Sequence, residues 1–240
     1  MKYVGSKNRL SKELAPIIQS YITDGIRGYL EPFVGGANMI DKIKCDKKIG
    51  CDIHEELIEL LKYVQILDNK LPETIIEDEY KLVKNSKDQY DKWYVGLVGF
   101  CCGFGAKYFG GYARSMKADK ITPRNMSNEA IRNIEKQRVN LTEIDFRNKS
   151  FLDLPIDRIH NYVVYCDIPY KGTLKYSTDE FPYDKFYDWC VKMKENDNIV
   201  LISEYNMPED RFECIWSKEH KVGINQDEHK VRVEKLFIVR

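Results

Sequence analysis

The sequence predicts an α/β fold on a mostly parallel sheet, and three observations lead there. Short apolar runs ending in Gly, Asp or Pro alternate with longer segments of helical periodicity. A length of 240 residues suits one large domain, or one domain carrying a smaller insertion. Residues 69–140 break the alternation, yet no internal repeat or low-complexity linker sets them apart. The expected organisation is therefore a main domain from 1–68 and 141–240, with 69–140 as an integral insertion.

In chain order, a helix is expected over 6–21, a strand at 29–31, a helix at 37–43 and a strand at 49–52. Residues 54–67 follow as a helix whose Leu57, Leu60, Leu61 and Val64 fall at helical spacing and form a core stripe. The insertion begins with a polar helical portion and the run 93–100. The segment 103–114 is then so dense in glycine and aromatics that it makes a poor helix or strand interior, and it is read as a loop that carries contacts. A helix over 127–136 and strands at 141–146 and 162–167 return to the alternation. After a helix at 183–195 and a strand at 199–203, residues 230–240 alternate through Val231, Val233, Phe237 and Val239. They fit a last strand paired with one near 212–216.

Composition narrows the function classes. The 43% hydrophobic and 32% charged fractions are those of an ordinary soluble protein, and no apolar stretch approaches membrane-spanning length. The N-terminus has no long apolar core of the signal-peptide kind. Seven cysteines, odd in number and without a C-x-x-C pair, argue for free thiols in a reducing compartment, and four scattered histidines add no metal signature. Net charge is zero, but it is segregated: residues 101–150 hold ten Lys/Arg and five Asp/Glu. Segregation of this kind permits a basic face on a neutral protein and equally fits a solvated surface.

Two motifs carry chemistry. Asp167-Ile168-Pro169-Tyr170 follows the apolar run 162–166. A strand-ending carboxylate, a Pro and an aromatic suit the methylation of an exocyclic amine. The Asp167 carboxylate accepts one N–H and the Ile168 carbonyl the other. Pro169 restricts the backbone so that both acceptors converge, and Tyr170 stacks on a flat base. Taken alone, D-x-P-Y also fits an Asp in a tight turn. The second motif, Glu31-Pro32-Phe33-Val34-Gly35-Gly36, resembles a nucleotide-binding turn without G-x-G-x-x-G, so no phosphate site is implied. Asp52, about twenty residues on, ends the next strand where an acid can take ribose hydroxyls. The pair suits an adenosyl group without phosphates, or a plain strand–loop–helix junction.

Lys2-Tyr3-x-Gly5-x-Lys7, the Glu-Pro-Phe-x-Gly-Gly loop, Asp52, Ser150-Phe151 and residues 167–170 stand in the order found in D12-class DNA adenine N6-methyltransferases, which the chain resembles over nearly its whole length. The resemblance implies a Rossmann-like S-adenosylmethionine-dependent methyltransferase sheet with a mainly helical target-recognition insertion. The implied reaction is methyl transfer to adenine N6 in double-stranded DNA by base flipping, with S-adenosylhomocysteine as product and no metal. By position Tyr3, Lys7, Glu31, Phe33, Gly35, Gly36, Asp52, Ser150, Phe151 and Asp167 are the expected cofactor contacts, and Asp167, Ile168, Pro169 and Tyr170 the catalytic tetrad. Lys2 is expected near the bases. The one departure is Ile168, where the family has Pro; a position that contributes its carbonyl should tolerate Ile.

The segment 99–114 lies where this family carries target recognition. Lys107, Tyr108, Arg114, Arg124, Arg132 and Lys136 are the expected DNA contacts, with aromatic packing and a solvated helix face as the alternatives. The resemblance further implies a bacterial or phage-infected cytoplasm, a monomer or weak dimer, no membrane association, and room for a restriction-enzyme partner. N4-cytosine methylation uses the same amine chemistry and stays open. So does a DNA-binding relative that has lost catalysis, while methylation of protein glutamine fits the basic N-terminus and the insertion less well.

Overall fold

The computed structural model describes residues 1–170, 181–222 and 230–240, with backbone alone at 220–222 and 230–232. Seven strands form one sheet: β1 (Gly28–Glu31), β2 (Lys48–Asp52), β3 (Ile144–Asn148), β4 (Tyr162–Asp167), β5 (Ile199–Glu204), β6 (Phe212–Val222) and β7 (Lys230–Val239). Their order is β3-β2-β1-β4-β5-β7-β6. The first five pair in parallel and β7 runs antiparallel between β5 and β6. This is the expected α/β class, a doubly wound Rossmann-like sheet, and its strand order reverses between β1 and β4. Such a reversal opens a crevice at the carboxyl ends of the strands, the general ligand site of open α/β sheets.

The sheet is buried on both faces, which is why its central strands read as unbroken apolar runs. Alternation divides their side chains. Tyr29, Val163, Tyr165, Leu201 and Leu236 enter one core, with α1 (Ser11–Ser20), α2 (Glu55–Gln65) and the insertion. Leu30, Val164, Cys166, Ile202 and Phe237 enter the other, under α6 (Tyr183–Glu195). Helix α2 carries Glu55 and Glu56 in its first turn, where carboxylates favour a helix N-terminus, and buries Leu57, Ile58, Leu60, Leu61 and Val64.

Residues 69–140 are mainly helical: α3 (Glu77–Asn85), α4 (Lys92–Gly96) continuing into one π-turn over Leu97–Cys101, and α5 (Met126–Arg138). They share the first core with the strands and with α1 and α2. Tyr63 of α2 stacks on Trp93 of α4 at 3.6 Å between ring centroids. At Gly96 a Cβ would lie 2.1 Å from the backbone oxygen of Glu56, so only glycine allows α4 this close to α2. In α5, Asn125 caps the first turn by accepting from the Asn128 N–H at 3.0 Å. The buried Arg138 donates to the carbonyls of Ile66, Leu67 and Asn69 beyond the end of α2.

Three expected elements differ. Residues 37–43 contain only a 3₁₀ turn at Ile40–Lys42, because Ala37 takes a φ of 54°, outside the α-helical range. The helix expected over 6–21 breaks at Leu10 into a 3₁₀ turn at Lys7–Arg9 and α1. Strand β3 begins at Ile144 and not at Leu141, since turns at the end of α5 continue through Leu141.

No helix of the described residues is long and apolar enough to cross a membrane. Among the described residues no group of His, Cys, Asp or Glu is arranged to hold a metal ion. The cysteines are free thiols, most of them buried.

Candidate active site

Period-two alternation builds the site. Two residues beyond Tyr29 and Tyr165, on the same face of the sheet, stand Glu31 and Asp167. Ser203 pairs with Asp167 across β4–β5 and with Leu236 across β5–β7. Glu234 lies two residues before Leu236, so it too shares this face. The strand ends of β1, β4 and β5 and the neighbouring part of β7 thus place a polar layer over the first core. Tyr29 donates to Glu31 at 2.7 Å, and the Tyr165 and Ser203 hydroxyls are hydrogen-bonded at 2.8 Å. Burial holds the Glu31 carboxyl well above its ordinary range, although the Tyr29 hydrogen bond works against it.

The N-terminal segment crosses this layer. A Cβ on Gly35, whose φ is +48°, would sit 2.8 Å from the Tyr3 ring, and one on Gly36 would sit 2.8 Å from Tyr3 Cβ and 2.7 Å from Asn38 Nδ2. The double glycine therefore makes room for the N-terminal segment. Asn38 holds the segment by donating to the Met1 carbonyl at 2.8 Å. Four residues past Tyr3, the buried Lys7 places its Nζ 2.8 Å from Asp167 Oδ1 and 3.5 Å from Glu234 Oε1. It also lies 4.3 Å from the centroid of the Tyr170 ring.

Burial lowers the affinity of Lys7 for its proton, but the Asp167 and Glu234 carboxylates outweigh it and the net shift is upward. Burial likewise raises Asp167, and Lys7 opposes that rise. The Tyr170 hydroxyl donates to Glu234, and its ring meets Tyr205 edge-on at 4.6 Å. Ile168 buries its side chain in the second core, which anchors the turn, and the Pro169 carbonyl accepts from the Tyr183 hydroxyl at 2.8 Å.

The other expected cofactor residues line the β1–β2 side of the crevice. Half-buried Asp52 accepts from the Gly35 N–H at 3.1 Å through Oδ2 and from the His54 N–H at 3.0 Å through Oδ1. Burial raises its pKa against these two bonds. Phe33 contacts Phe151 and Phe186 at 5.4 and 5.7 Å between centroids. Ser150 caps the turn that carries Phe151 by accepting from the Leu152 N–H. Glu31 and Asp167 thus flank the switch point on the face of the first core, where Tyr3 and Lys7 join them, while Phe33 and Phe151 belong to the second core and Asp52 and Ser150 stand near the ends of β2 and β3.

The expected DNA contacts separate. Tyr108 turns inward: its ring packs on His54 and Phe100 at 4.4 and 4.9 Å, and its hydroxyl donates to Glu56 at 3.2 Å. Tyr112 donates to the Ile75 carbonyl at 2.7 Å and Phe109 is buried, so three of the four aromatics of this segment pack, while Phe104 is 64% exposed. Arg114 is exposed but forms a two-pronged pair with Glu77, its Nε bond being 3.0 Å. Lys107, Arg132 and Lys136 are exposed. Arg124 pairs with Glu129 of α5, and Arg124 first, then Arg132 and Lys2, hold that carboxyl below its ordinary range. Lys2, Arg124 and Arg132 therefore share one neighbourhood, joined to Lys7 by the N-terminal segment.

Sequence reasoning did not single out Glu234, Tyr205, Ser203 or Tyr165. The available signal was an acid inside the apolar alternation of β7.

Residues 3–98 match the model of the family described as D12 class N6 adenine-specific DNA methyltransferase, so the resemblance carried by Tyr3, Lys7, the 31–36 loop and Asp52 is borne out over that span. The match ends before the 167–170 turn. Among solved structures, the rRNA methyltransferase aviRa from Streptomyces viridochromogenes is 12% identical with a TM-score of 0.48, over 100% of this chain and 86% of that one. A candidate rRNA methylase from Clostridium thermocellum is 9% identical with a TM-score of 0.41, over 95% and 96%. SMU.472, a candidate methyltransferase complexed with SAH, is 11% identical with a TM-score of 0.43, over 99% and 53%. No curated protein matches the chain.

Proposed function

We infer that this chain transfers a methyl group from S-adenosylmethionine to adenine N6 in double-stranded DNA, with the target base turned out of the helix. One observation carries the reading. The Asp167 carboxylate, at the end of β4 and ahead of Ile-Pro-Tyr, faces the switch-point crevice and is joined to the double-glycine loop by the segment from Tyr3 to Lys7.

The residues present fit the donor. Asp52 is half-exposed at a strand end and takes backbone N–H groups of Gly35, His54 and Ile53, while the four lone-pair sites of a carboxylate leave room for a ribose hydroxyl. Phe33 and Phe151 offer an apolar face, and Tyr3, Lys7 and Glu31 are the remaining proposed donor contacts. When bound, the donor supplies a methyl on a sulfonium sulfur that keeps the bonding electron pair as the methyl departs.

The chain's own residues orient the acceptor. The N6 lone pair is delocalised into the base, so a carboxylate and a carbonyl that grip both N–H bonds draw the nitrogen toward a tetrahedral form with its lone pair free to make the N–C bond. Asp167 and the Ile168 carbonyl are the two acceptors. As the nitrogen gives up its lone pair it becomes cationic, and one of its protons passes to Asp167 or to solvent. A carboxylate raised by burial is suited to accept it. Tyr170 supplies the stacking face. Lys2, Arg124 and Arg132, together with the exposed Lys107 and Lys136, are the proposed phosphate and base contacts.

The experiment is a transfer assay with labelled donor and double-stranded DNA, followed by digestion to nucleosides. Label in N6-methyl-2′-deoxyadenosine is the expected result. Label in N4-methyl-2′-deoxycytidine, or none in DNA, would overturn the reading.

A further inference from the structure

We propose that Glu234 is a positioning residue for methyl transfer: it orients Tyr170 and offers Lys7 a second carboxylate, so that the ammonium withdraws from Asp167 as the target amine arrives. The proposal rests on the methyl-transfer reading above. Lys7 occupies the place the substrate needs twice over. Its Nζ is 2.8 Å from Asp167 Oδ1, one of the two oxygens that can accept from the amine, and it covers the Tyr170 ring at 4.3 Å, the surface on which a base stacks. A cation there also opposes the positive charge that grows on the nitrogen as its lone pair enters the new bond.

Expelling a buried ammonium into an apolar surround is costly, so its displacement requires a counter-charge that stays beside it. Glu234 Oε1 stands 3.5 Å from the same Nζ, and Glu234 is itself only 3% exposed. A short shift of Lys7 toward β7 keeps it paired and frees both Asp167 and the ring. The Tyr170 hydroxyl bonds to this carboxylate as well, so the ring is held while the ammonium moves. No requirement of the strand explains a buried acid at this position, because its neighbour on the same face, Leu236, is apolar and fully buried.

The test compares Glu234→Gln with Glu234→Asp in steady-state transfer to DNA. Gln keeps the length and an acceptor for Tyr170 but removes the charge, whereas Asp keeps the charge on a shorter arm. The hand-over requires kcat to fall about 10- to 100-fold in Gln and only about threefold in Asp, with KM for the donor within about threefold in both. A purely structural role reverses the order, since Gln preserves shape better, and that result overturns the proposal. Should the Gln variant fail to fold by circular dichroism, the Asp variant decides alone. A kcat within about threefold of wild type supports the hand-over, and a larger loss overturns it. Wild-type protein that transfers nothing to adenine removes the functional reading together with this proposal. An active wild type with an unaffected Gln variant removes this proposal alone.

Discussion

The 167–170 turn and the 103–114 segment both set aromatic side chains beside residues that bend the chain, one in the first and four in the second, yet the fold uses them in opposite ways. In the second, three of the four rings are consumed by packing and Phe104 is left exposed. Tyr108 fills the space that Gly99 leaves, where a Cβ would lie 2.6 Å from the ring, and its hydroxyl is tied to Glu56. In the first, buried charged groups meet where packing alone would favour apolar side chains. Lys7, Asp167 and Glu234 bear a desolvation cost that stability does not require. Aromatic density marks a candidate site poorly, whereas charges held together at the strand ends of a switch point mark it well.

The comparison can be broken hardest at Asp167. Asp167→Ala should leave circular dichroism and melting close to wild type while transfer falls about 10²–10⁴-fold. Substantial residual activity would return the turn to a structural role. The pH profile tests the same group without mutation. Only the ionised carboxylate accepts the amine N–H, so kcat/KM should drop as pH falls through the Asp167 pKa, with its acid limb above the ordinary aspartate range because burial raises that pKa. An acid limb at or below that range removes Asp167 from the titration.

Tyr170 gives the next effect. Replacement by Ala should cost about 1–3 kcal/mol of base stacking, read in kcat/KM, and replacement by Phe less. Equal losses would shift the weight to the hydroxyl bond with Glu234. On the packing side, Gly96→Ala forces a Cβ onto the Glu56 backbone and should destabilise the protein by about 1–3 kcal/mol, lowering the melting temperature by several degrees. A melting temperature that does not move would mean that the insertion docks on α2 more loosely than the stacked Tyr63 and Trp93 indicate.

Glu77→Gln should give the smallest change. It releases Arg114 from its carboxylate, so DNA binding should tighten slightly and the salt dependence should steepen by about one phosphate contact. An unchanged slope in a salt titration would leave Arg114 outside the DNA interface.

The sequence by itself determined the α/β class, the strands at β1, β2, β4 and β5, the helix α6 and the two motif loops. Each of these rests on a local rule: apolar runs for strands buried on both faces, helical spacing for α2, and residues that end a strand on an acid or a glycine. The break at Leu10 and the turn at Ala37 escaped that reading, because they follow from how the N-terminal segment is drawn over Gly35 and Gly36. Tertiary structure alone decided which charges meet. Lys7, Asp167 and Glu234 come from three distant stretches, and only pairing of β4, β5 and β7 aligns their faces over one core. Alternation along β7 picked out Val233, Phe237 and Val239 as its apolar face. The acid on the other face is buried because the sheet is covered on both sides, and a strand's own pattern cannot say what will cover it.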